Sequence, residues 1–285
     1  MNNSNKEPSK RLDDALAQWR ALPKPKDANK QLIYESMLLL GEVFMQAPLG
    51  TFDALLDRGL ALADFVHHVS DEKDEEVDHA RLMSSGLREI RAFREDPGDR
   101  LKALMAPTNI FLTHGMMEDF ALCIYAVGDA QQQLERFMDA SISYRTALSI
   151  CEKLGLRQYV PALQLSVAQM FRYESVRGRI DWETTLSYFN DCYASLDSAP
   201  IEERERNKLR AACLIDRAPC YVEIPRENLQ RGAGSAVSVR EGIARARRDT
   251  NEGIGLAKKA PELGQYVRQG EINLLRLDQA EDASN

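Results

Sequence analysis

The chain has 285 residues, 44% apolar and 28% charged, with 44 acidic against 37 basic side chains and a formal charge of -7. That apolar fraction supplies a sizeable core and argues against a disordered chain, and the acidic balance removes any global attraction to nucleic acid. Five widely spaced cysteines, Cys123, Cys151, Cys192, Cys213 and Cys220, sit in apolar helical patterns and read as buried thiols rather than a disulfide framework. The opening MNNSNKEPSKR has no apolar leader core and no run of eighteen apolar residues follows, so the expected setting is the cytoplasm with no membrane partner.

Residues 1–26 read as a polar tail and a short anchoring helix. Leu12, Ala15, Leu16 and Trp19 fall on one helical side, Trp19 as the anchor, and the prolines of LPKPK end the helix. A helical stack is expected over 27–217. Its first helix runs from about Asp27 to Ala47 and stops at Pro48 and Gly50. Thr51 caps the next, whose stripe is Leu55, Leu56, Leu60, Ala63 and Val66. Asp71–Asp78 holds six carboxylates against one lysine and reads as the solvated first turn of another helix, which continues through Leu82, Leu87 and Phe93 to a turn at Asp96-Pro97-Gly98-Asp99. Leu101, Leu104 and Met105 predict a short apolar segment before Pro107, then a long helix from Thr108 to Val127 carrying His114 and Glu118 on one face.

The most legible stretch is Met138–Gly155. Ala140, Tyr144, Ala147, Leu148 and Cys151 recur three and four apart, so one face is small and apolar while Arg145 and Glu152 point elsewhere. Pro161 opens the next helix, with Ala162, Leu165, Ala168 and Phe171, and Asp181 caps the one after, with Leu186, Phe189, Cys192 and Leu196. A charged helix from Glu202 to Arg217 follows. Helices of this length on short links must pack antiparallel to bury their stripes.

The pattern Ala140-x3-Tyr144-x2-Ala147-Leu148 resembles the second helix of a tetratricopeptide-type repeat, in which small residues around an aromatic let paired helices approach closely. Ala168 and Phe171 resemble the small and aromatic places of a following first helix, and Thr185, Phe189 and Cys192 those of its second. The resemblance covers about residues 115–197, and the period is irregular: Tyr144 and Phe189 lie 45 residues apart. It implies an all-α fold of antiparallel helix pairs, in a tetratricopeptide-like or irregular array whose inner surface holds a peptide or partner protein.

Residues 218–285 read as a carboxyl-terminal loop and helical segment. Tyr221–Ile224 is β-prone and ended by Pro225, and GAGSA at 232–236 is a flexible turn without the Gly-Lys-Ser of a phosphate loop. EGIARARRDTN at 241 and EGIGLAKKAPE at 252 place Ile243 and Ile254 on one helical side, and five glycines between 242 and 270 imply a helix held by docking. Arg240, Arg245, Arg247, Arg248, Lys258 and Lys259 form a local basic patch, the candidate partner-binding residues. No aromatics interleave them, which disfavours nucleic acid.

No catalytic residues or cofactor are indicated: no serine or cysteine is tied by spacing to a histidine and an acid. The expected function is therefore a protein-interaction scaffold or adaptor that binds a partner segment in a helical groove. Two alternatives stand beside it. Glu76-x2-His79 and His114-x3-Glu118 can be drawn together as a carboxylate–histidine metal site of a helical-bundle enzyme, with Glu35 or Glu42 completing it. Alternatively the chain is the target of a partner enzyme, exposed at Gly232–Ser235. Self-association is open, since no sustained heptads fix a dimer.

Overall fold

Trp19 organises the amino-terminal helices. In the computed structural model, which describes residues 8–46, 53–69, 96–234 and 236–282, it is almost wholly buried, and its indole Nε1 donates to Ser36 Oγ at 2.8 Å. Ser36 in turn donates to the carbonyl of Leu32, so the one polar atom of the ring is satisfied inside the core. Trp19 lies on α1 (Pro8–Ala21) and Ser36 on α2 (Lys30–Gln46), and Phe65 of α3 (Asp53–His68) stacks on the indole with centroids 5.8 Å apart. Leu12, Leu16, Leu40, Leu62, Ala63 and Val66 complete this core. The chain divides into two compact units, Met1–Ala130 and Gln131–Asn285, and these three helices belong to the first.

Also in the first unit, α4 (Pro97–Thr113) brings Leu104 and Phe111 against Cys123 and Ala126 of α5 (Met117–Gln133), whose last turn enters the second unit. Here the sequence expectation is corrected twice. Pro107 lies inside α4 rather than before a helix, with Thr108 Oγ1 bonded back to the Leu104 carbonyl. The long helix expected over 108–127 is broken: His114 caps α4, Gly115 takes φ +69, and α5 starts at Met117. A left-handed residue closing a helix is glycine's usual place, and it reverses the chain into an antiparallel partner.

The second unit holds α6 (Phe137–Leu154), α7 (Val160–Val176), α8 (Trp182–Ser195), α9 (Glu203–Gln230), α10 (Ala236–Ala257) and α11 (Gly264–Asp282). Each packs on the next, and α9 also touches α7 and α11. On α6 the small–aromatic–small pattern faces inward: Ala140, Tyr144 and Ala147 have no exposure, and the Tyr144 hydroxyl donates to Gln132 Oε1 at 2.8 Å. On α8, Phe189 and Cys192 are likewise closed off from water, and Asp181 caps the helix by accepting from the Thr184 amide. Between Tyr144 and Phe189 lie the seventeen residues of α7 and the two links that flank it, 155–159 and 177–181. Among the described residues every regular element is helical.

Tyr221–Ile224, expected as a β-prone group, is helical. α9 runs for 28 residues with Pro219 and Pro225 inside it. Each proline deprives a carbonyl four residues earlier of its N–H, and both carbonyls are covered from outside α9. Asn273 of α11 donates its side-chain amide to the Ile215 carbonyl at 2.9 Å. Over the Tyr221 carbonyl sits Gly242 of α10, so close that a Cβ there would clash with the oxygen. Gly253 and Gly270 are close approaches of the same kind, against Ile215 and Ile254. Three of the glycines that weaken these helices locally are thus what allows α9, α10 and α11 to pack.

Candidate functional site

The first helix of each pair in the second unit, α7, α9 and α11, carries polar groups toward its neighbours. Asp216, 6% exposed on α9, is bridged by Arg172 of α7 at 3.1 Å and accepts from Gln169 Nε2 at 2.7 Å. Burial works against the Arg172 charge, but Asp216 and Tyr173 outweigh it and hold the guanidinium above the ordinary arginine pKa. Tyr266 of α11 joins this network. Burial raises its phenol, the Asp216 charge raises it further, and a hydrogen bond with Gln169 opposes both. Two charges and two neutral polar groups from three helices therefore satisfy one another within a partly dry site.

Beside this network, α9 and α11 enclose a groove of about 110 Å³ lined by Pro219, Val222, Glu223, Arg226, Asn273, Arg276 and Leu277. Its floor is the seam where Asn273 meets α9, and its apolar wall is Val222 and Leu277, both buried. Arg226 and Glu223 pair at 3.2 Å at the rim, each more than a third exposed, and Arg276 is exposed. A surface ion pair of this kind is weak and opens readily to another charge. At the other end of the network Tyr173 stacks on Phe137 at 4.4 Å between centroids, with Arg177 over the Phe137 ring.

The arrangement offers hydrogen-bond donors and acceptors, charges of both signs and an apolar wall. It offers no activated nucleophile. Cys220, on the same helix, is pushed up to about 12 by burial, and Cys213 is raised well above its ordinary value by a hydrogen bond with Cys192 and by burial. Both thiols stay protonated at neutral pH. All five cysteines are buried and unpaired as disulfides.

The basic patch divides. Arg240, Arg247 and Arg248 line one groove of about 370 Å³ on α10, with Ile243, Ala244, Asn251 and Glu281. Arg247 is held there by Asp278 and Glu281, each at 2.7 Å. Arg245 lines a different groove, with Tyr221, Ile224, Pro225 and Glu241. Lys258 and Lys259 lie past the end of α10, exposed in the turn before α11. Of the metal alternative, Glu76 and His79 lie outside the described residues, as does the acidic run at 71–78. His114 and Glu118 are both exposed but sit on opposite sides of the Gly115 turn, so they do not share the helical face expected of them. Among the described residues no group of three or more His, Cys, Asp or Glu side chains is placed to hold a metal, and no helix is long and apolar enough to cross a membrane.

Sequence reasoning missed Asn273, Pro219 and the Arg172–Asp216 pair. A lone asparagine beside the leucines of α11 and an aspartate in the apolar run AACLID of α9 were the available signals.

No protein-family model and no curated protein sequence matches the chain. Among solved structures, the crystal structure of the apo form of RapI matches over 95% of this chain and 90% of that one, at 12% identity and a TM-score of 0.51. A Rap protein complexed with competence and sporulation factor matches over 97% and 70%, at 10% identity and a TM-score of 0.43. The chain therefore has a tetratricopeptide-like helical-repeat fold, similar to that of RapI.

Proposed function

We propose that this protein is a non-catalytic binding scaffold that receives a peptide, or a segment of a partner protein, along the face shared by α7, α9 and α11. One observation carries the reading: α9 and α11 set a buried amide, rim charges of both signs and an apolar wall around one groove, beside the polar network that Gln169 and Arg172 of α7 make with Asp216 and Tyr266. A peptide backbone needs such paired donors and acceptors, and side-chain selectivity would come from Arg226, Glu223 and Arg276 at the rim. The five buried free thiols support a reducing, cytoplasmic setting.

The test is selection of a random peptide library against the whole protein, with counter-selection on a variant carrying Arg226→Ala and Arg276→Ala. Enriched peptides should bind the parent protein and lose about tenfold in affinity on the variant, with its thermal midpoint unchanged. No enrichment, or peptides that bind both proteins equally, would overturn the reading.

A further inference from the structure

The groove on α10 is separate from the α7–α9–α11 face. The residues of α10 that line it run from Arg240 to Asn251, three helical turns or roughly 16 Å along the helix. Ile243 is its buried floor and Ala244 an exposed, nearly flat step between the cations. The three arginines play different parts. Arg247 is neutralised by Asp278 and Glu281, which tie α10 to α11 and fix one wall. Arg240 and Arg248 are exposed, and among the described residues neither has an ion-pair partner. Their positions lie on one side of the helix, about 12 Å apart along its axis.

We infer that this groove is a docking surface for an acidic amphipathic helix of a partner protein, whose carboxylates pair with Arg240 and Arg248 while its small apolar residues lie on Ala244 and Ile243. Charge complementarity fixes the occupant. Two unpaired guanidiniums separated by an apolar step match carboxylates seven residues apart on one helical face, which repeat at roughly 10 Å. A polyanion is a poorer match: the groove has no aromatic ring to stack a base, and the chain as a whole carries -7. This surface is independent of the peptide face proposed above.

The probe is a fluorescein-labelled helical peptide of about twenty residues with glutamates at seven-residue spacing and alanine and leucine between them. Its binding to the full-length protein is followed by anisotropy. Binding should saturate, weaken about tenfold when Arg240→Glu and Arg248→Glu are combined, and weaken similarly when the glutamates become glutamine or the salt is raised. Arg245→Glu, the same charge change in the other groove, should leave it within about twofold, as should the paired Arg226→Ala and Arg276→Ala variant. If charge reversal disturbs the helix by circular dichroism, Arg240→Gln with Arg248→Gln serves in its place. Absence of saturable binding, equal loss with Arg245→Glu, or displacement of the peptide by single-stranded RNA at lower concentration than by unlabelled peptide would overturn the inference.

Discussion

Asn273 of α11 donates to the Ile215 carbonyl of α9, the oxygen that Pro219 leaves without an intrahelical N–H. This bond lets a 28-residue helix run through a proline without an orphaned buried acceptor. Asn273→Ala should cost about 1–3 kcal/mol in urea unfolding of the whole chain. In a Pro219→Ala background, where α9 can supply its own donor, the same substitution should cost less than half as much. Equal costs in both backgrounds would mean that the two residues are not coupled.

Glycines on α10 are expected to respond in opposite directions. Gly242→Ala forces a Cβ against the Tyr221 carbonyl and should destabilise by about 2 kcal/mol or more. Gly255→Ala, with nothing within 4 Å of its added carbon, should be neutral or stabilising by up to about 1 kcal/mol. Thermal midpoints of the two variants check the sign directly.

Asp181 ties acid sensitivity to the start of α8. Its pKa is lowered by the backbone bond from Thr184, then by the Thr184 hydroxyl. A depressed folded pKa contributes stability that is present above the unfolded aspartate value and is lost as pH falls through the folded one. Asp181→Ala should therefore cost about 1 kcal/mol at neutral pH, with the difference from the parent closing as pH drops below about 4. A pH-independent difference would point to lost packing instead.

Arg172 and Asp216 test the network beneath the proposed peptide face. Removing the cation strands a carboxylate that is 6% exposed, so Arg172→Gln should destabilise by about 3 kcal/mol, and adding Asp216→Asn should recover part of that loss. A double-mutant cycle by urea unfolding measures the coupling. Additive losses would contradict a shared network.

Much of the helical order was legible because burial demands a local period. Ala140, Tyr144 and Ala147, and Asp181 with Phe189, show their faces within single helices. What was not legible depends on distant partners. The charged helix is expected to end at Arg217, just before Pro219, and Tyr221–Ile224 reads as β-prone up to Pro225, since nothing nearby announces that Asn273 and Gly242 cover the freed carbonyls. His114 and Glu118 read as one face because the left-handed turn at Gly115 depends on a single residue in an otherwise helical pattern. The basic residues were found as a composition, while their division into two grooves and a turn follows from how α10 lies on α9 and α11.

Hydrogen exchange on the whole protein, with and without a peptide selected as above, tests the proposed binding face most directly. Slowed exchange should concentrate in residues 169–173, 216–226 and 273–276, with α6 around the exposed Ile142 unchanged. Protection confined to α6, or to α1–α3, would place the partner elsewhere and contradict the proposed role of α7, α9 and α11.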